Sequence, residues 1–227
     1  MKTLLLNGSP RGVRSDTLHL SMAFVQGISA AADNELFVEH IYEKHIEYCT
    51  GCFACKHNGG TCPIEDDMAD LLKRMLDCDI VIYSFPLYSY GMPAALKNFV
   101  DRTMPLSSWS MVRDEKGKYG HTMQVDTSKM HFVMICGCGF PNSKFNFEGA
   151  VRSFALKYPD STIITVPESP MFNFPQANAF TAPRLEQMKA AGGEYSNDFT
   201  LTEQTLSQIC SPMIPEEIYA QFANSLR

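Results

Sequence analysis

A short apolar strand that breaks into a basic, hydroxyl-rich loop at the start of a helix constrains this chain more than any other feature. Residues 2–17 read KTLLLNGSPRGVRSDT. Thr3, Leu4, Leu5 and Leu6 form an apolar run ending at Asn7-Gly8, the pattern of a strand buried on both faces. A polar loop follows, with Ser9, Pro10, Arg11, Gly12 and Arg14, then Ser15, Asp16 and Thr17. From Leu18 the period changes, and Leu18, Met22, Val25 and Ile28 recur at helical spacing. A helix N-terminus offers unpaired N–H groups and the positive end of the peptide dipoles, so this junction suits a phosphate. Ser9, Ser15 and Thr17 can add hydroxyl donors, and Arg11 or Arg14 charge. An ordinary strand–helix turn capped by Ser15 or Asp16 meets the same description. No Gly-x-x-x-x-Gly-Lys-Ser/Thr occurs, which excludes a Walker loop, and no Gly-x-Gly-x-x-Gly, which argues against a Rossmann-type dinucleotide site.

The alternation continues along the chain. Glu35 to Ile41 reads as a second strand near a sheet edge, interrupted by Glu39 and His40. Tyr48 to Pro63 is a cysteine-rich loop, and Glu65-Asp66-Asp67 place acid in the first turn of a helix carrying Met68, Leu71, Leu72, Met75 and Leu76. Asp79 to Phe85 is an apolar strand stopped by Pro86. Pro93 opens the next helix, with Leu96, Phe99 and Val100 on its buried face and Asp101-Arg102 closing it. Met104 to Thr127 is less regular, with residues 114–118 an exposed turn. Met130 to Cys136 is a strand, Phe147, Val151, Phe154 and Tyr158 mark a helix, and Thr162 to Val166 is a fifth strand.

Five strand–helix alternations predict an α/β layered fold with a parallel sheet covered on both faces. Beyond Pro167 the pattern changes to a loop over Glu168–Thr181, a helix over Pro183–Ala191 ending at Gly192-Gly193, a helix over Leu201–Ile209, and a last one over Pro215–Asn224. The expected organisation is one domain over residues 1–167, with residues 168–227 a loop and helical extension of it.

At 227 residues one full core is expected. A hydrophobic share of 45% and a charged share of 19% are those of a globular protein, and a net charge of −6 argues against a nucleic-acid or anionic-membrane surface. The first strand begins almost at Met1, leaving no room for a signal peptide, and no apolar run approaches the ~20 residues of a membrane helix. A cytoplasmic protein without membrane insertion is expected.

In an open parallel sheet, ligands sit beyond the carboxyl ends of the strands, where strand order reverses. Three loops leave those ends. Gly8 to Thr17 suits a phosphate. Pro86, Leu87, Tyr88, Ser89, Tyr90, Gly91 and Met92 offer aromatic rings beside backbone amides, as a flat heteroaromatic ring requires. Gly137 and Gly139, following Cys136 and flanking Cys138, allow close backbone approach. A phosphate on the first loop and a planar ring between the other two describe flavin mononucleotide (FMN).

Gly8-Ser9-Pro10-Arg11 with Ser15-Asp16-Thr17, then Pro86-Leu87-Tyr88-Ser89-Tyr90-Gly91-Met92-Pro93, Leu96-Lys97 and Asp101-Arg102, closely resemble the flavodoxin-like NAD(P)H-dependent FMN reductases, over roughly residues 1–166. The resemblance implies a flavodoxin-like three-layer α/β/α fold with a five-stranded parallel sheet of order 2-1-3-4-5, in a homodimer or homotetramer with the flavin near a subunit boundary. It further implies hydride transfer from NAD(P)H to the flavin and on to a small acceptor: a quinone, a nitro- or azo-aromatic, or free flavin. The chemistry is the cofactor's, so no catalytic side chain is expected, and His121 and His131 are read as structural. One departure stands out: the family commonly has Asn where this chain has Asp16, and a carboxylate repels a phosphate.

Eight cysteines are many for a chain of this length, and Cys49, Cys52, Cys55 and Cys62 crowd into one short segment. In a reducing compartment such crowding favours metal or redox chemistry over a disulfide framework. The spacing Cys-x2-Cys-x2-Cys-x6-Cys suits the corners of an iron–sulfur cubane, the fourth cysteine following Asn58-Gly59-Gly60. Four thiolates also suit a tetrahedral zinc site, and free thiols, with a transient Cys49–Cys52 or Cys52–Cys55 disulfide, remain open. The segment from Cys49 to Asp66-Asp67-Met68 is similar to that of the iron–sulfur flavoproteins, which implies a [4Fe–4S] cluster beside FMN and a ferredoxin-like electron donor. A non-enzymatic zinc-bearing or regulatory α/β module is the remaining alternative.

Overall fold

Three consecutive leucines form the centre of the molecule. In the computed structural model, which describes residues 1–115 and 117–225, Leu4, Leu5 and Leu6 are fully buried, with Leu4 and Leu6 facing one core and Leu5 the other. Side chains alternate across a strand, so a run apolar at every position is stable only with both faces covered. This strand, β1 (Lys2–Asn7), pairs in parallel with β2 (Glu35–His40) on one side and β3 (Ile80–Pro86) on the other. β6 (His131–Gly137) and β7 (Thr162–Val166) complete a sheet of order β2-β1-β3-β6-β7. The expected order and the edge position of β2 are borne out.

One face is covered by α3 (Met68–Leu76), α4 (Ala94–Asp101) and α5 (Glu148–Lys157), whose Met68, Leu71, Leu96, Phe99 and Phe154 pack against Val81, Tyr83 and Met134. The other face is covered by α1 (Asp16–Ala31), α6 (Asn178–Asp198) and α7 (Glu203–Cys210), packed on Ile82, Val133 and Ile164. A last helix, α8 (Glu216–Ser225), seals a small cluster of Met171, Ala177 and Tyr219.

The structure departs from the sequence reading in three places. Residues 104–127 contain an antiparallel hairpin of β4 (Ser107–Arg113) and β5 (Tyr119–Met123). Trp109, Met111, Val112 and Tyr119 all stay exposed on it, so no buried face imposes a readable alternation. The tip lies in the expected turn, of which Lys116 is outside the described residues. The acids Asp66 and Asp67 precede α3 rather than occupying its first turn, and Asp66 accepts from Met68 N at 3.0 Å.

The third departure is the largest. α6 starts at Asn178 and runs straight through Gly192-Gly193 to Asp198, where the expected helix begins at Pro183 and stops at the glycines. Glycine inside a helix costs about 1 kcal/mol relative to alanine. Here a Cβ on Gly192 would stand 1.8 Å from Phe24 O, and one on Gly27 1.8 Å from Lys189 O. The glycines are the contact through which α6 and α1 touch, backbone to backbone. No described helix is long and apolar enough to cross a membrane.

Candidate functional site

Strand order reverses between β1 and β3, and all three candidate loops leave the carboxyl edge there. Main chain ties each of them to the neighbouring strand or loop. Gly8 N donates to Ser84 O at 2.8 Å, Leu87 N to Gly137 O at 2.7 Å, and Cys138 N to Val166 O at 3.0 Å. A Cβ on Gly8 would meet Leu96 at 2.7 Å, and one on Gly137 would meet Ser169 at 2.6 Å and Thr17 at 2.8 Å. Both glycines are therefore required for close packing.

The first loop turns through a 3-10 segment, Gly12–Arg14, into α1. Ser15 is the N-cap, its hydroxyl accepting from Leu18 N at 3.3 Å and lying 2.9 Å from Thr17 Oγ1. Ser15 and Thr17 are buried hydroxyls at the first turn of α1, and Ser9, also buried, accepts from Arg11 N at 3.2 Å. Pro10 fixes the turn without a donor of its own. Arg11 is half-exposed and pairs with Asp16 at 2.9 Å. Asp16 also accepts from Asn173 Nδ2 of the extension. Burial raises the Asp16 pKa, with Arg11 opposing it. The departure from Asn is thus partly neutralised inside the protein, at the cost of occupying the loop's guanidinium.

The second loop is a tight turn in which Tyr88 N donates to Gly91 O at 3.1 Å and Gly91 N to Tyr88 O at 3.0 Å. Its central residues, Ser89 and Tyr90, have φ of 48° and 61°. Two non-glycine residues in the left-handed region form a turn of the I′ kind, a conformation with a steric cost of the sort that gathers at ligand sites. It holds Tyr88 and Tyr90 out from the sheet edge, both exposed, with Pro86, Leu87 and Met92 forming its base. Tyr90 lies parallel to Phe140 of the third loop, centroids 6.1 Å apart and planes within 12°. Cys136 is fully buried in the core, so only its main chain can face a ligand. Burial pushes its pKa well up, and that of Cys138 to about 11. Phe140, Ser169 and Asn173 were not foreseen. Two of them lie in the extension, which has no motif of its own.

A second constellation lies across α4. Cys49, Cys52, Cys55 and Cys62 line one pocket of about 30 Å³, with Arg102, Met104 and Pro105 in its wall. Among the described residues, no three His, Cys, Asp or Glu side chains converge as a single metal ion requires. The thiols ring a space instead. Cys55 sits on a one-turn helix, α2 (Ala54–His57), that begins after Phe53 at φ 55°. Burial raises the Cys55 pKa, opposed by Lys56, and the Ala54 N–H with the Thr50 hydroxyl lowers that of Cys52.

Behind the pocket lies an ion pair absent from the sequence reading. Arg102 and Asp66 side chains are 2% and 0% exposed and meet at 2.6 Å. Asp66 also accepts from Glu47 N at 2.9 Å and Met68 N at 3.0 Å. Burial works to raise its pKa, but Arg102 and these donors outweigh it and hold it low. Arg102 Nη2 reaches Cys62 Sγ at 3.6 Å, and Arg102 Nε is buried without a partner. Charged residues at a helix end read as surface, and only the fold reveals their burial.

This sheet order, with three interlocked loops at the switch point, defines a flavodoxin-like α/β protein. The chain belongs to the flavodoxin-like fold family, whose profile matches residues 1–164. It is 35% identical over 119 residues to an iron–sulfur flavoprotein of Methanocaldococcus jannaschii, covering 52% of this chain and 59% of that protein. It is 34% identical over 146 residues to a Bacillus subtilis protein whose name describes an NAD(P)H-dependent FMN-containing oxidoreductase, covering 63% and 71%. The chain spans little more than half the length of the iron–sulfur flavoproteins it matches, 59% and 54% for two of them. Among solved structures, an azoreductase from Bacillus anthracis superposes with a TM-score of 0.63 over 86% of this chain and 99% of that one, at 17% identity. That likeness establishes the fold.

Proposed function

We propose that this chain is an FMN-dependent NAD(P)H oxidoreductase passing electrons from reduced nicotinamide to a small acceptor: a quinone, a nitro- or azo-aromatic, or free flavin. The observation that carries the reading is the interlocking of three loops at the switch point, one rich in buried hydroxyls at a helix N-terminus and two presenting Tyr90 and Phe140 in parallel. The name of the Bacillus subtilis relative, an NAD(P)H-dependent FMN-containing oxidoreductase, supports it.

Ser9, Ser15, Thr17 and the first-turn N–H groups of α1 would hold the phosphate, with Arg11 shared between it and Asp16. Pro86–Met92 and Gly137–Gly139 would hold the ring, Tyr88 and Tyr90 flanking it, and Cys136 contributing main chain. When bound, FMN supplies acceptance of a hydride and its transfer to the acceptor. The side chains orient the cofactor and exclude water, and none is assigned a catalytic role. We place the enzyme in the cytoplasm as a homodimer or homotetramer.

The test is an absorption spectrum of protein purified without oxygen, before and after addition of FMN, followed by NADH and NADPH. A bound flavin that bleaches with reduced nicotinamide supports the reading. No retained flavin after FMN addition overturns it.

A second reading is favoured by the ring of thiols. In it, Cys49, Cys52, Cys55 and Cys62 hold a [4Fe–4S] cluster, and electrons arrive from a ferredoxin-like partner. The donor set fits, and Arg102, a residue of the pocket wall, keeps a buried, unpartnered Nε that would suit a cluster sulfur as acceptor. About four irons and four sulfides per chain would support it, and metal well below one per chain would overturn it.

A further inference from the structure

Arg102 keeps one hydrogen-bond donor that the protein itself does not use. A guanidinium carries five N–H groups in a fixed plane. Nη1 donates to Glu47 O and Asp66 Oδ2, both at 2.6 Å, and Nη2 to Asp66 Oδ1 at 3.1 Å and Cys62 Sγ at 3.6 Å. That engages four. The fifth, on Nε, is buried without an acceptor, on a side chain 2% exposed that forms part of the four-thiol pocket. A buried charged donor without an acceptor is costly. Asp66 is already saturated, taking two bonds from Arg102 and one each from Glu47 N and Met68 N. The guanidinium is clamped edge-on, with its remaining donor turned away from the carboxylate.

We infer that Arg102 is a positioning and tuning residue of the thiolate pocket, its Nε–H donating to a sulfur of a [4Fe–4S] cluster while its Nη2–H fixes Cys62. The inference rests on the second reading above. Hydrogen bonds to cluster sulfurs and nearby positive charge both favour the more reduced, more negative state, so Arg102 raises the cluster's potential. Because Asp66 balances the charge of Arg102, the hydrogen bonds are the main instrument.

The test is a redox titration of the anaerobically reconstituted full chain, followed by electron paramagnetic resonance, with iron and sulfide assayed on the same samples. Arg102→Lys keeps the charge and loses the planar fork. Asp66→Asn/Arg102→Met keeps the net charge, removes the guanidinium and leaves no unpaired buried ion. The expected result is near-full iron in the wild type and in Arg102→Lys, with a lower potential and altered resonance in the variant, and a potential lower again in the double variant. Full iron with unchanged potential and signature in Arg102→Lys overturns the inference alone, and wild type that holds no iron overturns the cluster reading with it. If Arg102→Lys fails to fold, the double variant is judged by the same comparison. A measurement on unmutated protein decides the case where neither folds. Nitrogen-15 placed at arginine Nε alone gives a coupling to the reduced cluster if Nε–H is hydrogen-bonded to sulfur, and no such coupling overturns the proposal.

Discussion

Alanine at Gly192 or Gly27 tests the packing of α1 against α6, and two physical effects oppose each other there. At a helix position with room, Gly→Ala stabilises by about 1 kcal/mol. Here the new Cβ would lie 1.8 Å from a carbonyl oxygen of the facing helix in both cases, Phe24 O for Gly192 and Lys189 O for Gly27. A relaxed carbon–oxygen contact is about 3.3 Å, so the helices must part by roughly 1.5 Å. Phe24, Met188, Ala191 and Tyr195 are all fully or nearly fully buried around this contact, and parting the helices loosens each of them. Overpacking of this kind costs about 1–3 kcal/mol. For a domain of this size that lowers Tm by about 2–4 °C per kcal/mol. Gly193 is the internal control: its Cβ would lie 3.7 Å from Gly27 O, an ordinary contact. Gly193→Ala should be neutral or slightly stabilising. The Gly27→Ala/Gly192→Ala pair should cost less than the sum of the singles, since either one already separates the helices. Thermal and urea unfolding followed by far-ultraviolet circular dichroism measures all four. A Gly192→Ala variant as stable as the parent, or more so, would refute the backbone-to-backbone contact.

Ser9→Ala/Thr17→Ala should purify without FMN yet unfold like the parent, whereas a fully yellow double variant would show that the phosphate sits elsewhere. Asp16→Asn should bind FMN more tightly at neutral pH, because a carboxylate beside the phosphate is removed; equal affinity by fluorescence titration would count against the assignment. Burial raises the Asp16 pKa, with Arg11 opposing, so Asp16 contributes stability below the ordinary carboxylate range that is lost as pH rises through its folded value. Asp16→Asn should abolish that part of the pH dependence. Asp66→Ala strands Arg102 and should cost about 3–5 kcal/mol in urea unfolding. With its folded pKa held low, Asp66 contributes stability above its unfolded value near 3.9 that is lost as pH falls through the folded value. A variant with unchanged acid sensitivity would contradict this.

The sheet was legible because its strands are local and doubly buried. Leu4–Leu6 and the apolar run Ile80–Phe85 need no tertiary information to be recognised. The strand–helix junction that carries the proposed phosphate site was legible for the same reason, since Ser9, Ser15 and Thr17 lie close together along the chain. What was not legible depends on partners distant in sequence. Gly192 reads as a helix terminator until the backbone of Phe24, far earlier in the chain, is set against it. Asp66 reads as a dipole-favoured surface acid until Arg102 is brought to it across 36 residues. The hairpin of β4 and β5 has exposed apolar residues on a ribbon without a core face, so burial left no pattern in its sequence.

The two candidate sites share one structural element. α4 follows directly from the Tyr88–Gly91 turn and ends at Arg102 in the thiol pocket. At its first turns Leu96 fills the space beside Gly8 of the first loop. Further along, Asn98 donates to Ile46 O at 2.7 Å, ahead of the cysteine segment. An eight-residue helix is only about 12 Å long. A flavin between the aromatic loops and a cluster among the thiols would therefore be held by opposite ends of the same short, rigid rod. This arrangement gives the two proposed readings a common physical basis. On the first reading the flavin site would work alone with reduced nicotinamide, and on the second, with iron in the thiol pocket, the fixed length of α4 would set a constant spacing for electrons entering from the cysteine side. If so, a proline at Lys97, which would break α4 at mid-length, should disturb both sites at once. Loss of FMN retention with the thiol pocket intact, or the reverse, would show that the sites are held independently.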